Sequence, residues 1–369
     1  MSQKTAVILF NLGGPDSKKA IAPFLMNFFM DPNIIQLPIP LRCFVAKAIS
    51  HRRSRREAAE SYDFLGGSSP LLTHSKAQAA ALERVLNESS EGTYRVFVCM
   101  RYWHPMAPQI VRDVRDWGAD EIVLLPLYPQ FSTTTSWSSR QQWINAADIA
   151  GYDVPTRMIC CYPEESGFIT ASAEKIRAVY DQACAALSAT AGSPAPRLLF
   201  SAHGLPEKII RQGDPYQWQC EKTAAAIVEK LGIAGLDWQI CYQSRVGPLK
   251  WIGPSTEDAL EQAAQDKVPV IIYPHAFTQE HVETLVEIEI EYRELAHKLG
   301  VPGFWRVETV GEDPAFIAGL ARLVNQAPPA GASVYGAGTS ADGKCICPPS
   351  CGRCCMRLTQ DAEKATKAA

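Results

Sequence analysis

The chain has 369 residues, enough for two domains of ordinary size. Charged residues make up 20% of it, hydrophobic residues 47%, and the formal net charge is -3, a balance typical of soluble globular proteins that gives no reason to expect a nucleic-acid partner. No stretch reaches the roughly 20 apolar residues that a membrane-spanning helix needs, and the start of the chain does not resemble a signal peptide. We therefore expect a cytoplasmic protein.

Eight short apolar runs alternate with longer amphipathic stretches, the pattern of buried parallel strands in βαβ units. The two halves also resemble each other, since residues 125–131 are similar to residues 271–277. These patterns predict an α/β protein with two Rossmann-like domains, 1–163 and 164–325, and ligands bound in a cleft beyond the carboxyl ends of the strands. A linker and a cysteine-rich tail follow at 326–369. The predicted strands span residues 5–11, 95–102, 121–127, 156–161, 197–201, 238–243, 268–274 and 305–310.

The first predicted strand leads into a glycine-containing segment, residues 11–15. It lacks both the G-x-G-x-x-G spacing and a G-K-[S/T] ending, so nucleotide binding has little support. Glycines at this position favour a tight turn and a close approach of the backbone to a flat ligand.

An apolar segment at residues 24–41 follows, with a basic run at 51–56. The ordinary explanations are a buried helix for the apolar segment and a solvated helix for the basic run. If the segment is exposed, the apolar side chains and the arginines together favour peripheral contact with a membrane.

His203 follows the fifth predicted strand and precedes Gly204. A histidine at the end of a strand is more often structural than functional. An imidazole is also the side chain best suited to accept a proton or to hold a transition metal near neutral pH.

The helix predicted to begin near Thr278 carries Glu283, Glu287 and Glu291 on one face. A solvated acidic face is the usual explanation for such a row. Here the row begins just after a strand, beside His281, so it also suits passage of a divalent cation and removal of protons. On a regular helix His281 and Glu283 point apart, so a local irregularity is needed to aim both inward.

The tail concentrates thiols, because five of the twelve cysteines fall within eleven residues. They are numerous enough for one tetrahedral zinc or one iron–sulfur cluster, and the spacing alone favours zinc. The five are Cys345, Cys347, Cys351, Cys354 and Cys355.

Residues 201–206 and 277–285 together resemble the paired signature of the ferrochelatases. The likeness extends from Val7 to about residue 323 and includes the segments 11–15, 66–71, 101–105, 128–132, 213–216 and 242–248. The resemblance implies a chelatase-type fold that inserts Fe²⁺, as substrate, into protoporphyrin IX with release of two protons, the terminal step of heme synthesis.

The resemblance also implies roles for individual residues. His203 is expected to be a proton acceptor or metal ligand and Glu283 its partner, while His281, Glu287 and Glu291 form a chain leading away from the site. Ser69 and Arg101 are expected to face the propionates, and residues 24–41 to form an apolar lip. The expected walls of the porphyrin site are Leu12, Tyr62, Arg101, Tyr102, Ser244, Trp251 and Phe277.

Some ferrochelatases carry a 2Fe-2S cluster on a C-terminal extension, so the resemblance favours this cluster over zinc in the tail. Animal members take one ligand from the loop after the third strand, where this chain has Thr133. The fourth ligand is then another tail cysteine, Cys160 or Cys161.

Three alternatives remain open at this stage. The ring could be coproporphyrin III, although the apolar lip favours protoporphyrin. An iron–sulfur electron carrier or redox sensor would explain the tail but not His203 or the acidic helix. A chelatase for another tetrapyrrole shares the fold but lacks the extended lip. The sequence does not indicate an oligomeric state.

Overall fold

The computed structural model describes residues 3–54, 57–89, 91–188, 194–245, 247–326 and 345–368. Arg55, Arg56 and nearly all of the predicted linker lie outside these residues. The chain divides into two compact units. The first unit contains Met1–Cys161, Leu320–Ile346 and Arg353–Ala369, and the second contains Tyr162–Gly319 and Cys347–Gly352.

The first unit is built on a parallel sheet of four strands in the order β2-β1-β3-β4. Residues 6–10 of the central strand are at most 1% exposed, which explains why this run is apolar without alternation. The strands are β1 (Lys4–Asn11), β2 (Thr93–Met100), β3 (Glu121–Pro126) and β4 (Thr156–Met158). The helices are a 3₁₀ turn (Lys18–Ala20), α1 (Ile21–Phe29), α2 (Ile39–Ser54), α3 (Glu57–Phe64), α4 (Leu71–Ser89), α5 (Ala107–Trp117), π1 (Thr133–Trp137) and α6 (Ser138–Ile149).

The second unit repeats this topology, with four parallel strands in the order β6-β5-β7-β8. The strands are β5 (Arg197–His203), β6 (Trp238–Gln243), β7 (Val270–Tyr273) and β8 (Phe304–Arg306). The helices, in chain order, are α7 (Ser166–Leu187), α8 (Glu207–Arg211), α9 (Tyr216–Leu231), α10 (Thr256–Asp266), π2 (Glu283–Tyr292) and α11 (Arg293–Leu299). They are followed by α12 (Pro314–Gln326) and, in the tail, α13 (Cys355–Ala368).

Local sequence signals account for several helix ends. Ser255 and Asp258 form a reciprocal capping box at the start of α10. Gly118 and Gly232 adopt left-handed conformations that end α5 and α9. All eight predicted strands are present and parallel, so the predicted α/β class with two parallel sheets is confirmed.

The tail contributes to the first unit through its last cysteine. Cys355 is fully buried in a hydrophobic cluster that also contains Cys160 and Cys161. Among the described residues, we find no helix that combines the length and the apolar character needed to cross a membrane.

Candidate functional site

His203 and Glu283 face each other in the second unit. His203 is the last residue of β5, and its Nε2 lies 3.6 Å from Oε1 of Glu283. Both side chains are partly accessible, with exposed fractions of 34% and 27%. Nδ1 of His203 lies 2.6 Å from the carbonyl oxygen of Gly204, which can only accept a hydrogen bond. A neutral His203 therefore carries its proton on Nδ1 and presents the lone pair of Nε2 to Glu283.

The helix that carries the acidic row is irregular. Residues Glu283–Tyr292 form a π-helix, a rare geometry with i→i+5 hydrogen bonds that is common at functional sites. The expected irregularity near His281 and Glu283 is therefore present. Residues five apart lie one turn above each other in such a helix, and the hydroxyl of Tyr292 donates to Oε1 of Glu287 at 3.0 Å.

Glu287 is held by donors on both of its oxygens. Besides Tyr292, the backbone N–H of Ser244 donates to Oε1 at 2.8 Å. The Ser244 hydroxyl and Nε2 of Gln243 donate to Oε2 at 2.6 and 2.9 Å. Burial and the nearby charge of Glu283 nevertheless raise the pKa of Glu287, so this carboxyl takes up a proton more readily than an exposed one.

Ser244 adopts a left-handed backbone conformation, with φ of 62°. A non-glycine residue pays a local strain for this conformation, which persists only where the surroundings hold it. In this conformation both the backbone N–H and the hydroxyl of Ser244 donate hydrogen bonds to Glu287. The structure thus gives Ser244, predicted as a wall of the porphyrin site, a contact with the acidic row.

His281 lies next to the pair but in a different protonation environment. Its Nδ1 accepts a hydrogen bond from the backbone N–H of Glu283 at 3.1 Å, and the ring of Phe277 lies edge-on with centroids 4.5 Å apart. Burial lowers the pKa of His281, which keeps the imidazole neutral. Glu291, at the far end of the row, is exposed.

Trp251 is half-buried and packs beside Gly204, where a Cβ would meet its ring at 3.2 Å. His203, Glu283, His281, Glu287, Ser244 and Phe277 are thus linked by contacts within the second unit, and Trp251 adjoins Gly204.

The candidate residues of the first unit include Arg101 and Tyr102, which surround a buried carboxylate. Asp31 has a fully buried side chain, and its Oδ2 accepts from Nη2 of Arg101 at 2.9 Å and from the Tyr102 hydroxyl at 2.7 Å. Ser138 donates a short hydrogen bond to the same oxygen and accepts one from Nε of Arg101 at 2.6 Å. The charge of Arg101 is therefore already balanced within the unit, and the predicted propionate contact stays a prediction.

Leu12, Tyr62 and Ser69 lie near the glycine-containing segment or in the helices that follow it. The carbonyl of Leu12 accepts from the backbone N–H of Tyr102 at 2.9 Å. Ser69 packs so closely on Gly14 that a Cβ there would lie 2.4 Å from its Oγ, so glycine is required for this approach. Tyr62 is buried.

The apolar segment at 24–41 divides into buried and exposed parts. Phe24, Leu25 and Phe29 of α1 are buried. Ile39 and Leu41, at the start of α2, are 66% and 50% exposed. Phe44, just beyond the predicted segment, is 73% exposed and extends the apolar surface.

Three tail cysteines converge. The sulfur atoms of Cys345, Cys347 and Cys354 all lie within 4.8 Å of one another, and those of Cys345 and Cys354 are 3.2 Å apart. This group could hold a metal ion. Cys351 is buried in the same segment but is not one of the three.

Cys355 instead lies beside Cys160, the cysteine outside the tail that was predicted as a cluster ligand. Burial raises the pKa of the Cys160 thiol, and hydrogen bonds with Cys161 and Cys355 raise it further. The six predicted cluster ligands therefore fall into the converging trio, Cys351, and the pair of Cys160 and Cys355.

Several residues at the site were not predicted from the sequence. Gln243 and Tyr292 hold Glu287, and Asp31 and Ser138 hold Arg101. Only Tyr292 had a usable signal, because it lies on the acidic helix five residues after Glu287. The others are distant in sequence from the side chains that they contact.

Comparison with known proteins identifies the relatives of this chain. Residues 4–327 match the family model described as ferrochelatase. The ferrochelatase of Wolbachia sp. subsp. Drosophila simulans is 48% identical over 320 residues, covering 87% of this chain and 98% of that protein. The ferrochelatase of Caulobacter vibrioides (strain NA1000 / CB15N) is 47% identical over 354 residues, covering 94% and 98%.

Among solved structures, SirB from Bacillus subtilis with Fe³⁺ matches with a TM-score of 0.50 and 12% identity, covering 88% of this chain and 95% of that one. At this identity the match shows the fold alone, which is the predicted chelatase-type fold.

Proposed function

Because the chain belongs to the ferrochelatase family, it is a lyase that inserts ferrous iron into a porphyrin in heme synthesis, and we propose that the ring is protoporphyrin IX. The exposed apolar side chains Ile39, Leu41 and Phe44 support this choice. Coproporphyrin carries more carboxylates and needs more cationic contacts, whereas the guanidinium of Arg101 is already paired with Asp31.

The observation that carries the proposed site is the pairing of His203 Nε2 with Glu283 Oε1 at 3.6 Å. Nε2 holds the lone pair of the neutral ring, so it accepts a pyrrole proton as Fe²⁺ enters the macrocycle. Glu283 stabilises the resulting imidazolium by its charge. The reaction removes two pyrrole protons for each ferrous ion inserted, so charge is conserved.

The acidic row gives iron a route to this pair. Glu291 is exposed, Glu287 is half-buried, and Glu283 lies 3.6 Å from His203. Oxygen ligands suit a hard divalent cation, and the neutral His281 adds a nitrogen donor beside them. Iron entry along this row brings a cation toward the site while the protons released there can be carried back by the same carboxylates.

The test is anaerobic insertion of Fe²⁺ into protoporphyrin IX and into coproporphyrin III, followed by visible spectra. We expect heme formation, with a higher kcat/KM for protoporphyrin. A higher value for coproporphyrin would overturn the choice of ring. A folded, brown protein that inserts iron into neither ring would instead support an iron–sulfur electron carrier.

The proposal includes a 2Fe-2S cluster in the tail, held by Cys345, Cys347 and Cys354. Their sulfur atoms converge, which fits a group that requires several thiolates. Cys351 supplies the fourth ligand, since it is buried in the same segment. When bound, the cluster supplies iron–thiolate bonds that hold the tail, while iron insertion itself requires no redox step.

The spectrum of the purified protein distinguishes cluster from zinc, because only the cluster absorbs in the visible. Cys351→Ser should remove this absorption, and Cys43→Ser, which changes an exposed cysteine of α2, should keep it. A colourless protein with bound zinc would overturn the cluster. Loss of absorption in Cys160→Ser but not in Cys351→Ser would move the fourth ligand to the body of the first unit.

The exposed apolar surface of α2 also supports peripheral membrane contact of a protein that we expect in the cytoplasm. Ile39, Leu41 and Phe44 can enter the interface of a bilayer while Arg52, which is exposed on the same helix, meets anionic headgroups. We expect Phe44→Asn to reduce sedimentation with vesicles of phosphatidylcholine and phosphatidylglycerol. Ile149→Asn is the matched control, because Ile149 is 79% exposed on α6. Equal binding of both variants and of the unaltered protein would contradict membrane contact through α2.

A further inference from the structure

A buried arginine lies behind the π-helix of the second unit. Arg306 ends β8, and its side chain is only 10% exposed. Its Nη1 donates to both oxygens of Glu280, at 3.0 and 3.1 Å, and its Nε donates to Oε2 of Glu289 at 2.9 Å. Glu280 precedes the π-helix and Glu289 lies near its end, so one guanidinium spans most of the helix.

A second arginine, Arg293, joins this network and also contacts β8. Both Nε and Nη2 of Arg293 donate to Oε1 of Glu289, at 3.0 and 2.7 Å. Its Nη1 donates to the carbonyl oxygen of Phe304 in β8 at 2.8 Å. Two guanidinium groups and two carboxylates therefore alternate between the π-helix and an edge strand of the sheet, with their charges balanced.

The network continues to the residues proposed to handle iron. The hydroxyl of Thr284 donates to Oε2 of Glu280 at 2.5 Å and accepts from the backbone N–H of His281 at 3.0 Å. The backbone N–H of Glu283 then donates to Nδ1 of His281 at 3.1 Å. A continuous chain of hydrogen bonds thus connects Arg306 to His281 and Glu283.

We propose that Arg306 is a positioning residue for iron delivery, which holds the π-helix in register through Glu280 and Glu289 and orients His281 through Thr284. The inference rests on the proposed function, since it assumes that His281 and Glu283 handle iron. None of these hydrogen bonds involves Ser244, Trp251 or Phe277, the proposed walls of the porphyrin site in the same unit. Phe277 meets the network only through the ring of His281, so we expect the larger effect on the metal substrate.

The physical reason is that a π-helix is a minor conformation that relaxes unless its surroundings hold it. Relaxation toward an α-helix would rotate the acidic row relative to His203. Each carboxylate of the network is held by more than one donor, because Glu280 accepts from Arg306, Thr284 and the backbone N–H of Thr309, and Glu289 accepts from Arg293 and Arg306.

The experiment compares Arg306→Gln with Arg197→Gln in the full-length protein. Arg197 is a matched control, because it also bridges two carboxylates, Asp237 and Asp266, with a side chain 14% exposed, but at the opposite end of β5 from His203. We expect Arg306→Gln to lower kcat/KM for Fe²⁺ by about 10- to 100-fold, with KM for protoporphyrin IX within about twofold. Arg306→Lys should recover part of the loss, since one ammonium reaches only one carboxylate at a time.

An equal loss toward both substrates, or a loss for Fe²⁺ no larger than that of Arg197→Gln, would overturn the inference. If Arg306→Gln does not fold, Thr284→Val decides, because it removes the hydroxyl that joins Glu280 to His281 and leaves the contacts of Arg306 with Glu280 and Glu289 in place. It should raise KM for Fe²⁺, and Thr284→Ser should restore it; an unchanged KM for Fe²⁺ in Thr284→Val would refute the chain of contacts. Absence of iron insertion by the unaltered protein would instead contradict the proposed function.

Discussion

The two units share the same strand topology but differ in the side chains at matched positions. Each has four parallel strands, and the strand order of the second repeats that of the first. In each, a π-helix follows the third strand of the unit, Thr133–Trp137 after β3 and Glu283–Tyr292 after β7. Such a repeated irregularity indicates that the topology, and not one set of side chains, accommodates the wide helical turn.

The side chains at matched positions make the difference. In π1, Thr133, Thr134, Ser136 and Trp137 are buried and uncharged. In π2, the corresponding turns carry Glu283 and Glu287, which contact His203 and Ser244. The comparison teaches that the fold supplies strand ends and helix irregularities, while the chemistry comes from a few residues placed on them.

The strongest test of this contrast uses the last residues of the central strands. We expect His203→Ala, at the end of β5, to lower kcat by about 10²- to 10⁴-fold while protoporphyrin binding is retained, because the proton acceptor is lost. Asn11→Ala, at the end of β1, should mainly reduce stability, since Asn11 is buried and bonded to Ser75 and to the N–H of Leu12. Steady-state kinetics and porphyrin titration measure the effect of His203→Ala, and urea denaturation measures the stability of Asn11→Ala. Comparable turnover in the two variants would contradict the difference between the two strand ends.

A second test of the comparison between the units uses Asp31, the buried carboxylate of the first unit. Asp31→Ala leaves the partly buried charge of Arg101 without its partner, which costs about 3–5 kcal/mol of unfolding free energy. Asp31→Asn should cost less, because it still accepts from Tyr102 and Ser138. Urea denaturation provides the measurement. A loss below about 1 kcal/mol in Asp31→Ala would mean that the pair is not structural.

A third test exchanges one residue between the units. Gln130 follows Tyr128 and Pro129 in the first unit, and His275 follows Tyr273 and Pro274 in the second; both are buried. Burial lowers the pKa of His275 from 6.5 to about 4. Between these values the unfolded chain binds a proton that the folded protein does not, so stability is complete above pH 6.5 and falls as the pH drops.

We expect this residue to account for about 3 kcal/mol of the stability lost between pH 7 and pH 4. His275→Gln, which installs the side chain found in the first unit, should remove that part of the pH dependence. Denaturation curves at several pH values measure it. An unchanged slope in the variant would show that other groups are responsible.

The smallest expected effects concern the glycines after the two strand ends. Gly13 has φ of +86°, so Gly13→Ala should cost about 1–2 kcal/mol and lower Tm by a few degrees. At Gly204 a Cβ would lie 2.9 Å from the carbonyl oxygen of Gln243, so Gly204→Ala must displace the end of β5. We expect a further loss of about tenfold in kcat there, through the shift of His203. Unchanged kcat in Gly204→Ala would show that the position of His203 tolerates this shift.

Much of the fold could be predicted from the sequence, because apolar runs and their spacing reflect interactions close along the chain. The eight strands, their parallel arrangement and the resemblance between the halves follow from these patterns. The same local logic placed His203 at a strand end and Glu283 and Glu287 on one helix. The roles proposed for them in catalysis stay predictions.

Other features depended on the tertiary structure, because they join residues far apart in sequence. Asp31 lies 70 residues from Arg101, and Arg306 lies 26 residues from Glu280, so no spacing rule connects them. The placement of Cys355 beside Cys160 has the same origin. The sequence alone determined which elements form and which residues have suitable chemistry; packing decided which charges are neutralised, which helix turns widen and which nitrogen of His203 faces Glu283.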